Sequence, residues 1–160
     1  MGANLGDRAA TLGSALKALK ALPGVRRAEA SPLYETAPVG GPPQPPFLNA
    51  CVRLRLEGDD PEALMAFLLA IETAHGRVRA ERWGPRTLDL DLLLFDARVQ
   101  SSPALTLPHP RFHERAFVLK PLAGMDPTLW HPVLGCPVAD LLAGVDAEGV
   151  RVWEGGTWPT

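Results

Sequence analysis

Two aspartates, two residues apart, are the side chains of this sequence whose type and spacing most clearly indicate a chemical role. Asp89 and Asp91 lie in the run T-L-D-L-D-L-L-L-F at 87–95. A strand has a period of two, so both carboxylates share one face and the alternate leucines face a core. Neighbouring carboxylates repel each other unless a positive charge joins them, and Mg²⁺ is commonly held by one or two carboxylates plus substrate phosphates. The pair therefore predicts a site for Mg²⁺ and a polyphosphate. The core-facing positions are Leu88, Leu90, Leu92 and Leu94.

An arginine-rich loop immediately precedes the aspartates. Its guanidinium groups could hold phosphate oxygens through forked hydrogen bonds. Trp83, Gly84 and Pro85 between the charges indicate a shaped loop rather than a basic tail. A solvated strand edge beside solvated arginines is the alternative interpretation, and the apolar opposite face of the strand counts against it. The four arginines are Arg77, Arg79, Arg82 and Arg86.

A second cationic segment follows at 107–122. His109 lies between Pro108 and Pro110, which restrict its backbone. A lone histidine is usually structural, but this one is followed by further basic side chains before the apolar run that starts at Phe117. The segment is a candidate second phosphate-binding element. Its other basic residues are Arg111, His113 and Arg115.

Helical periodicity and helix caps predict two long helices. Asp7 can cap a helix over 8–22, which Pro23 and Gly24 end. Asp60 and Pro61 open a second helix that ends near His75, one turn after Glu72, so that Glu72 could pair with an arginine or support a metal site. The predicted buried stripe of this helix is Leu64, Phe67, Leu68 and Ile71. A short helix is predicted over 137–142.

Strands are predicted between and after these helices. Alternation is clearest at 47–57, where Phe47 and Asn49 face away from the apolar side and could contact a flat heterocycle. The stretch from Thr36 to Pro46 is too rich in proline and glycine for a regular element, and proline-stiffened loops of this length are often functional. Strands and helices in this order predict an α+β fold, an antiparallel sheet with helices packed against it. The other predicted strands are 25–35, the aspartate strand up to 96, a hairpin within 97–108, and 150–153.

Composition restricts the class of protein. At 160 residues the chain is one domain with a real core. The net charge of −2 argues against general nucleic-acid binding, which usually needs a basic surplus. The two isolated cysteines, Cys51 and Cys136, indicate reduced thiols in a cytosolic protein. No apolar run reaches membrane-spanning length, and the first residues lack a signal peptide.

Five motifs together resemble the 6-hydroxymethyl-7,8-dihydropterin pyrophosphokinase family of folate biosynthesis. They are G-A-N-L-G-D at 2–7, Y-E-T-A-P-V-G at 34–40, F-L-N at 47–49, G-R-V-R-A-E-R-W-G-P-R-T-L-D-L-D-L-L-L-F at 76–95 and P-H-P-R-F-H-E-R-A-F at 108–117. The resemblance implies a ferredoxin-like α+β fold. It also implies transfer of pyrophosphate from ATP to the hydroxymethyl group of the pterin, with release of AMP.

The resemblance further implies roles for particular residues. Asp89 and Asp91 would hold two Mg²⁺ ions and, with Arg77 and Arg86, act in catalysis, while Glu72 would support the metal site. The residues implied around ATP are Leu69, Arg79, Arg82, Arg86, Leu92, Thr106, His109, Pro110 and Arg115. The residues implied around the pterin are Thr36, Ala37, Val39, Phe47, Asn49, Trp83 and Phe117.

Further expectations concern the whole chain. Residues 1–160 are expected to form one pyrophosphokinase domain, a cytoplasmic monomer whose partners are small molecules, without nucleic acid or membrane. Members of the family have an apolar strand before the G-x-N motif. Here Met1 directly precedes Gly2, so that first strand is expected to be absent: either the true start lies upstream of Met1, or the chain is compromised in folding.

Two other functions remain open from the sequence. A binding module would take a nucleotide or RNA without catalysis, although the net charge and the paired aspartates count against RNA. An inactive relative would fold but not turn over. Pterin-dependent release of AMP distinguishes the enzyme from both.

Overall fold

The helices of the computed structural model confirm the main sequence predictions. The structure describes residues 1–38, 41–77, 85–156 and 158. Asp7 accepts a hydrogen bond from the backbone N–H of Ala10 at 3.0 Å, and Asp60 accepts one from Ala63 at 2.9 Å, so both long helices begin at their predicted caps. The helices are α1 (Arg8–Lys20), α2 (Pro61–Ala74), α3 (Ala116–Met125) and α4 (Val138–Ala143), with a 3₁₀ turn at Phe112–Glu114.

The strands pair antiparallel throughout, which confirms the α+β class. One sheet has the order β1-β4-β3-β10, and β2-β5, β6-β7 and β8-β9 form separate pairs. A ferredoxin-like arrangement of these pairs stays a prediction. The strands are β1 (Gly2–Ala3), β2 (Val25–Ala30), β3 (Tyr34–Thr36), β4 (Phe47–Asn49), β5 (Val52–Leu56), β6 (Gln100–Ser101), β7 (Thr106–Leu107), β8 (Trp130–His131), β9 (Cys136–Pro137) and β10 (Arg151–Val152).

Two predicted strands are each divided in the structure. The prediction of single strands at 25–35 and 47–57 was wrong. The first is divided into β2 and β3 and the second into β4 and β5, and the two breaks lie beside each other. Pro32 has no N–H to give to a ladder. Beside it, Ser31 donates its backbone N–H to Cys51 at 2.9 Å, and its hydroxyl accepts the Cys51 N–H at 3.1 Å. The serine hydroxyl thus takes the place of a backbone partner at the break.

The predicted strand through the aspartates is reduced to one bridge. Gly2 and Asp89 exchange backbone hydrogen bonds of 2.9 and 2.8 Å. Beyond that point no strand pairing is assigned at 90–96 in the described part of the chain. An apolar groove of about 620 Å³ separates 90–96 from β5, and Met1 lies in its lining. The continuation of the aspartate strand therefore faces a groove rather than a neighbouring strand.

The core has two parts. The first lies among α1, α2 and the sheet and contains the fully buried Leu12, Leu48 and Leu88, with Leu90 beside them. The prediction that Phe67 belongs to the buried stripe of α2 was wrong. This residue is 40% exposed, because it lies on the edge of the stripe furthest from the buried Glu72.

The second part lies beneath α3 and α4. It contains Phe112, Leu119 and Val138. It also buries Cys51 and so raises the pKa of this thiol to about 11. Both cysteines are free, as predicted. No helix among the described residues has the length and apolar character needed to cross a membrane.

His131, in the second part of the core, predicts a pH dependence of stability. Its Nδ1 accepts the backbone N–H groups of Val133 at 3.3 Å and Leu134 at 3.1 Å, and its ring stacks on Phe112. Burial, with the nearby His113, lowers the pKa of His131 below its ordinary value. The unfolded chain therefore binds the proton first, so this residue makes the free energy of unfolding fall as pH drops from about 7 toward 5.

The variant His131→Asn isolates this effect. Its side-chain oxygen can accept the same backbone N–H groups but does not titrate. Denaturant unfolding between pH 5 and pH 7.5 should show a weaker pH dependence in the variant than in the wild type. Equal pH dependence in both chains would show that His131 does not contribute.

Candidate active site

Asp89 lies at the centre of a partly buried ionic cluster. Its two carboxylate oxygens each meet an arginine, with Arg77 Nη1 2.6 Å from Oδ1 and Arg86 Nη1 2.6 Å from Oδ2. Arg77 also pairs with Glu72, which is only 3% exposed. Glu72 Oε1 accepts the backbone N–H of Leu90 at 2.7 Å. The end of α2 thereby fixes the segment that carries the aspartates.

The electrostatics of this cluster keep Asp89 ionised. Burial on its own would raise the pKa of the Asp89 carboxyl, but Arg86 and then Arg77 outweigh that effect and hold the pKa below its usual range. A carboxylate that stays charged at neutral pH, and already attracts two cationic groups, can also bind a metal cation.

Asp91 is the more open of the pair. Its side chain is 37% exposed, with Arg115 Nη1 3.4 Å and His109 Nε2 3.9 Å from Oδ2. Burial lowers the pKa of His109 and the charge of Arg115 adds to this, while Asp91 opposes it. The Arg115 guanidinium also lies 5.8 Å from the centre of the Phe117 ring. The second cationic segment therefore contacts Asp91 through Arg115 and His109.

The residues implied for the pterin begin one strand away. Asn49 Nδ2 donates to the Thr36 hydroxyl at 2.8 Å, and both side chains are buried. Asn49 and Asp89 pair with Gly2 from opposite sides. Adjacent strands are about 4.8 Å apart, so the Asn49 and Asp89 backbones lie roughly 10 Å apart across β1. Phe47, two residues before Asn49, is half-buried on β4, and Ala37 is exposed.

The remaining implied nucleotide residues have different surroundings. Leu69 lines a cavity of about 370 Å³ with Glu72, Thr73 and Arg77. Thr106 and Pro110 are exposed, and Leu92 packs against the first part of the core. Within the described residues no hydrogen bond or ion pair joins Leu69, Thr106 or Pro110 to either aspartate. Val39, Arg79, Arg82 and Trp83 lie outside the described residues.

Sequence reasoning missed two polar residues that hold this site together. The Asn4 side chain accepts the backbone N–H of Arg86 at 2.8 Å. Arg8 binds Glu35 at 2.7 Å and the Pro46 carbonyl at 2.8 Å. For Asn4, the signal available in the sequence was a polar amide three residues before the helix cap Asp7. For Arg8, the first residue of α1, the sequence contained no comparable signal, because helix termini are commonly charged.

The donor set suits Mg²⁺ that shares its ligands with a substrate. In the part of the chain that the structure describes, no cluster of three or more His, Cys, Asp or Glu side chains could enclose a metal ion. The protein thus offers Asp89 and Asp91, both hard oxygen ligands. One or two carboxylates, completed by phosphates and water, are the common way proteins hold Mg²⁺.

The contact between Gly2 and Asn49 predicts the effect of a substitution on the residues that the resemblance assigns to the pterin. A Cβ at Gly2 would lie 2.7 Å from Oδ1 of Asn49, closer than real Cβ atoms approach an oxygen. In Gly2→Ala the Asn49 amide must shift and loosen its bond to Thr36. We expect the KM for the pterin to rise about tenfold, the effect of disturbing one buried hydrogen bond, with the KM for ATP nearly unchanged in steady-state assays.

Gly13 provides the matched control for this change. It lies within α1, and a Cβ there would meet nothing within 4 Å. Gly13→Ala should leave both KM values unchanged and stabilise the fold by roughly 0.5–1 kcal/mol. An unchanged KM for the pterin in Gly2→Ala would contradict the role at the pterin that the resemblance implies for Asn49.

An acidic pair contacted by cationic side chains from two segments, on an α+β scaffold, has the properties of a site for a divalent cation and a phosphorylated ligand. The model of the 7,8-dihydro-6-hydroxymethylpterin-pyrophosphokinase family matches residues 1–127. The chain belongs to this family.

Curated relatives are similar in sequence to this chain over nearly its whole length. A protein of Methylorubrum extorquens is 43% identical over 151 residues, which is 94% of this chain and 94% of that protein. A Pseudomonas aeruginosa protein is also 43% identical over 151 residues, with 94% and 92% covered. One of Bacillus subtilis is 40% identical over 154 residues, with 96% and 87% covered. All three are named 2-amino-4-hydroxy-6-hydroxymethyldihydropteridine pyrophosphokinase.

Proposed function

We propose that this chain transfers pyrophosphate from ATP to the hydroxymethyl group of 6-hydroxymethyl-7,8-dihydropterin and releases AMP, a step of folate biosynthesis. Family membership gives the reaction. The observation that carries it to particular residues is the pair Asp89 and Asp91, each in contact with cationic side chains. A pyrophosphoryl transfer needs positioning and charge neutralisation more than a covalent nucleophile.

The acidic residues have the role of holding the metal. Two Mg²⁺ ions shared by Asp89, Asp91 and the triphosphate would neutralise charge on the transferred group and act as Lewis acids there. Glu72 contributes indirectly, because it fixes Leu90 between the two aspartates and binds Arg77. Its carboxylate therefore sets the position of the metal ligands.

The cationic residues have the role of binding the phosphates. Arg77 and Arg86 contact Asp89 already, and His109 and Arg115 lie beside Asp91, so phosphate oxygens placed at the carboxylates would lie within reach of all four. Their charges and N–H groups stabilise the charge that develops during transfer. Arg79 and Arg82 are assigned to the same role.

The bond changes follow from the products. The pterin hydroxyl oxygen attacks the β-phosphorus of ATP, the bond from that phosphorus to the α-bridging oxygen breaks, and AMP leaves. The hydroxyl proton passes to solvent, since no side chain is required as general base. Leu69, Leu92, Thr106 and Pro110 are assigned to the nucleotide.

The pterin lies on the β4 side of β1. Asn49 and Thr36 offer hydrogen-bonding groups there, with Phe47 and Phe117 as stacking faces. The pairing of Gly2 with both Asn49 and Asp89 supports a pocket that is one strand away from Asp89. Ala37, Val39 and Trp83 are assigned to the same pocket.

We extend the proposal to the whole chain as a monomeric cytoplasmic enzyme with a ferredoxin-like fold, acting on small molecules as one domain over 1–160.

Phosphorus NMR tests the proposed reaction. The chain is incubated with ATP and Mg²⁺, with and without the pterin. We expect AMP and a pterin diphosphate, formed only when the pterin is present. ADP or inorganic phosphate as the product would contradict transfer to the pterin. Nucleotide binding without any product would favour a binding module or an inactive relative.

A further inference from the structure

Asn4 joins two segments of the site through a single buried amide. Its side chain is almost completely buried, with 1% of the residue exposed. Nδ2 donates to Gln44 Oε1 at 2.9 Å and to the Pro45 carbonyl at 3.0 Å. Oδ1 accepts the backbone N–H of Arg86 at 2.8 Å, and the Asn4 backbone N–H donates to the Arg86 carbonyl at 3.1 Å. Both N–H groups and the oxygen of the amide are therefore in use.

The two segments carry different substrates in the proposed function. Gln44 and Pro45 belong to the proline-rich loop, which runs directly into Phe47 and Asn49 of the pterin pocket. Arg86 binds Asp89 on the metal and phosphate side. A displacement of one segment is thus passed to the other through the Asn4 amide, because an unsatisfied buried polar group is costly.

Arg8 shows by comparison what a simple anchor does. Its Nη1 binds the Pro46 carbonyl and Glu35, so it holds the same loop to the start of α1. Neither contact reaches Arg86 or the aspartates. Arg8 therefore fixes the loop alone, whereas Asn4 fixes the loop and the aspartate segment relative to each other.

We infer that Asn4 is a positioning residue that sets the distance between the pterin pocket and the phosphate site and touches neither substrate. The inference rests on the proposed function for the names of the two substrates. The geometry requires an amide at this position. A carboxylate would place an oxygen against the acceptors of Gln44 and Pro45, and an alanine would remove all three side-chain hydrogen bonds of Asn4.

Two variants separate the two halves of this role. Asn4→Asp keeps the acceptor for Arg86 but loses both donors to the loop, and we expect the KM for the pterin to rise about tenfold with the KM for ATP unchanged. Asn4→Ala loses the hydrogen bonds to the loop and the one to Arg86, and we expect kcat to fall about tenfold in addition to the rise in the KM for the pterin. Arg8→Gln should raise the KM for the pterin alone. Arg98→Gln, which removes an exposed pair with Asp59, should change neither constant.

Amide hydrogen exchange gives a readout independent of turnover. The Arg86 amide should be protected in the wild type and in Asn4→Asp, and should exchange faster in Asn4→Ala. Equal protection in all three chains, or equal increases of both KM values together with a lower melting temperature, would overturn the positioning role. If the wild type forms no AMP but exchange follows the expected pattern, the proposed function fails while the link between the segments stands.

Discussion

Asp91→Asn is expected to lower kcat for pterin-dependent AMP formation by about a thousandfold, the scale on which loss of a preorganised charge at a reacting centre acts. Asp91 is the more open carboxylate of the pair and lies between Arg115 and His109. Asparagine keeps the shape but removes the charge that would hold a divalent cation against the triphosphate. Steady-state kinetics with coupled detection of AMP measure the effect.

Asp96→Asn is the matched control. Asp96 lies five residues further along the same segment, is exposed, and has a φ of 49°, a backbone conformation that asparagine tolerates. This control should keep kcat within about twofold of the wild type, the usual result of a surface change away from a site. If Asp91→Asn retained wild-type turnover with an intact fold, the assignment of Asp91 to the metal would be wrong.

Glu72→Ala is expected to lower the free energy of unfolding by about 3 kcal/mol, the typical cost of breaking a buried ion pair. The change removes the carboxylate that binds Arg77 and that accepts the Leu90 N–H, and both partners remain buried or half-buried. Among the described residues, Arg77 would then keep its ion pair with Asp89 and lose the one with Glu72, and Leu90 would lose its hydrogen bond to α2. Urea unfolding measures the stability, and kcat should fall in the same variant.

Glu62→Ala controls for the loss of a glutamate from the same helix. Glu62 is exposed in the first turn of α2 and accepts a hydrogen bond from Ser102 at 2.8 Å. Its removal should cost less than about 1 kcal/mol. Glu72→Gln can still accept the Leu90 N–H, so its loss of unfolding free energy should lie between those of Glu62→Ala and Glu72→Ala. Equal losses of unfolding free energy in Glu62→Ala and Glu72→Ala would show that the buried contacts of Glu72 stabilise the fold no more than the exposed contact of Glu62.

Local signals explain what the sequence could predict. The caps at Asp7 and Asp60 and the helical spacing of buried leucines fixed α1 and most of α2, because these depend on neighbouring residues only. The burial of Leu88 and Leu90 opposite the two aspartates likewise followed from the period of an extended chain. Arg77 and Arg86 are close to Asp89 in the sequence, so their contact with it was also predictable.

Contacts between distant segments explain what was missed. The strand breaks need Ser31 and Cys51 to meet, and neither segment alone shows that. The helix α3 was not predicted, because Pro121 lies inside it. The Asn4 contact with Arg86 joins residues far apart in the chain, so only the assembled sheet brings them together. The pairing of Gly2 with both Asn49 and Asp89 has the same origin.

Counting bound cations tests most directly whether the two aspartates form a metal site. Electron paramagnetic resonance can measure Mn²⁺ bound in place of Mg²⁺, with α,β-methylene-ATP, which lacks the cleavable α–β bridging oxygen. We predict two Mn²⁺ ions per chain in the wild type and in Asp96→Asn, and the loss of at least one in Asp91→Asn. Equal occupancy in Asp91→Asn and the wild type would contradict the assignment of the metal to the aspartate pair.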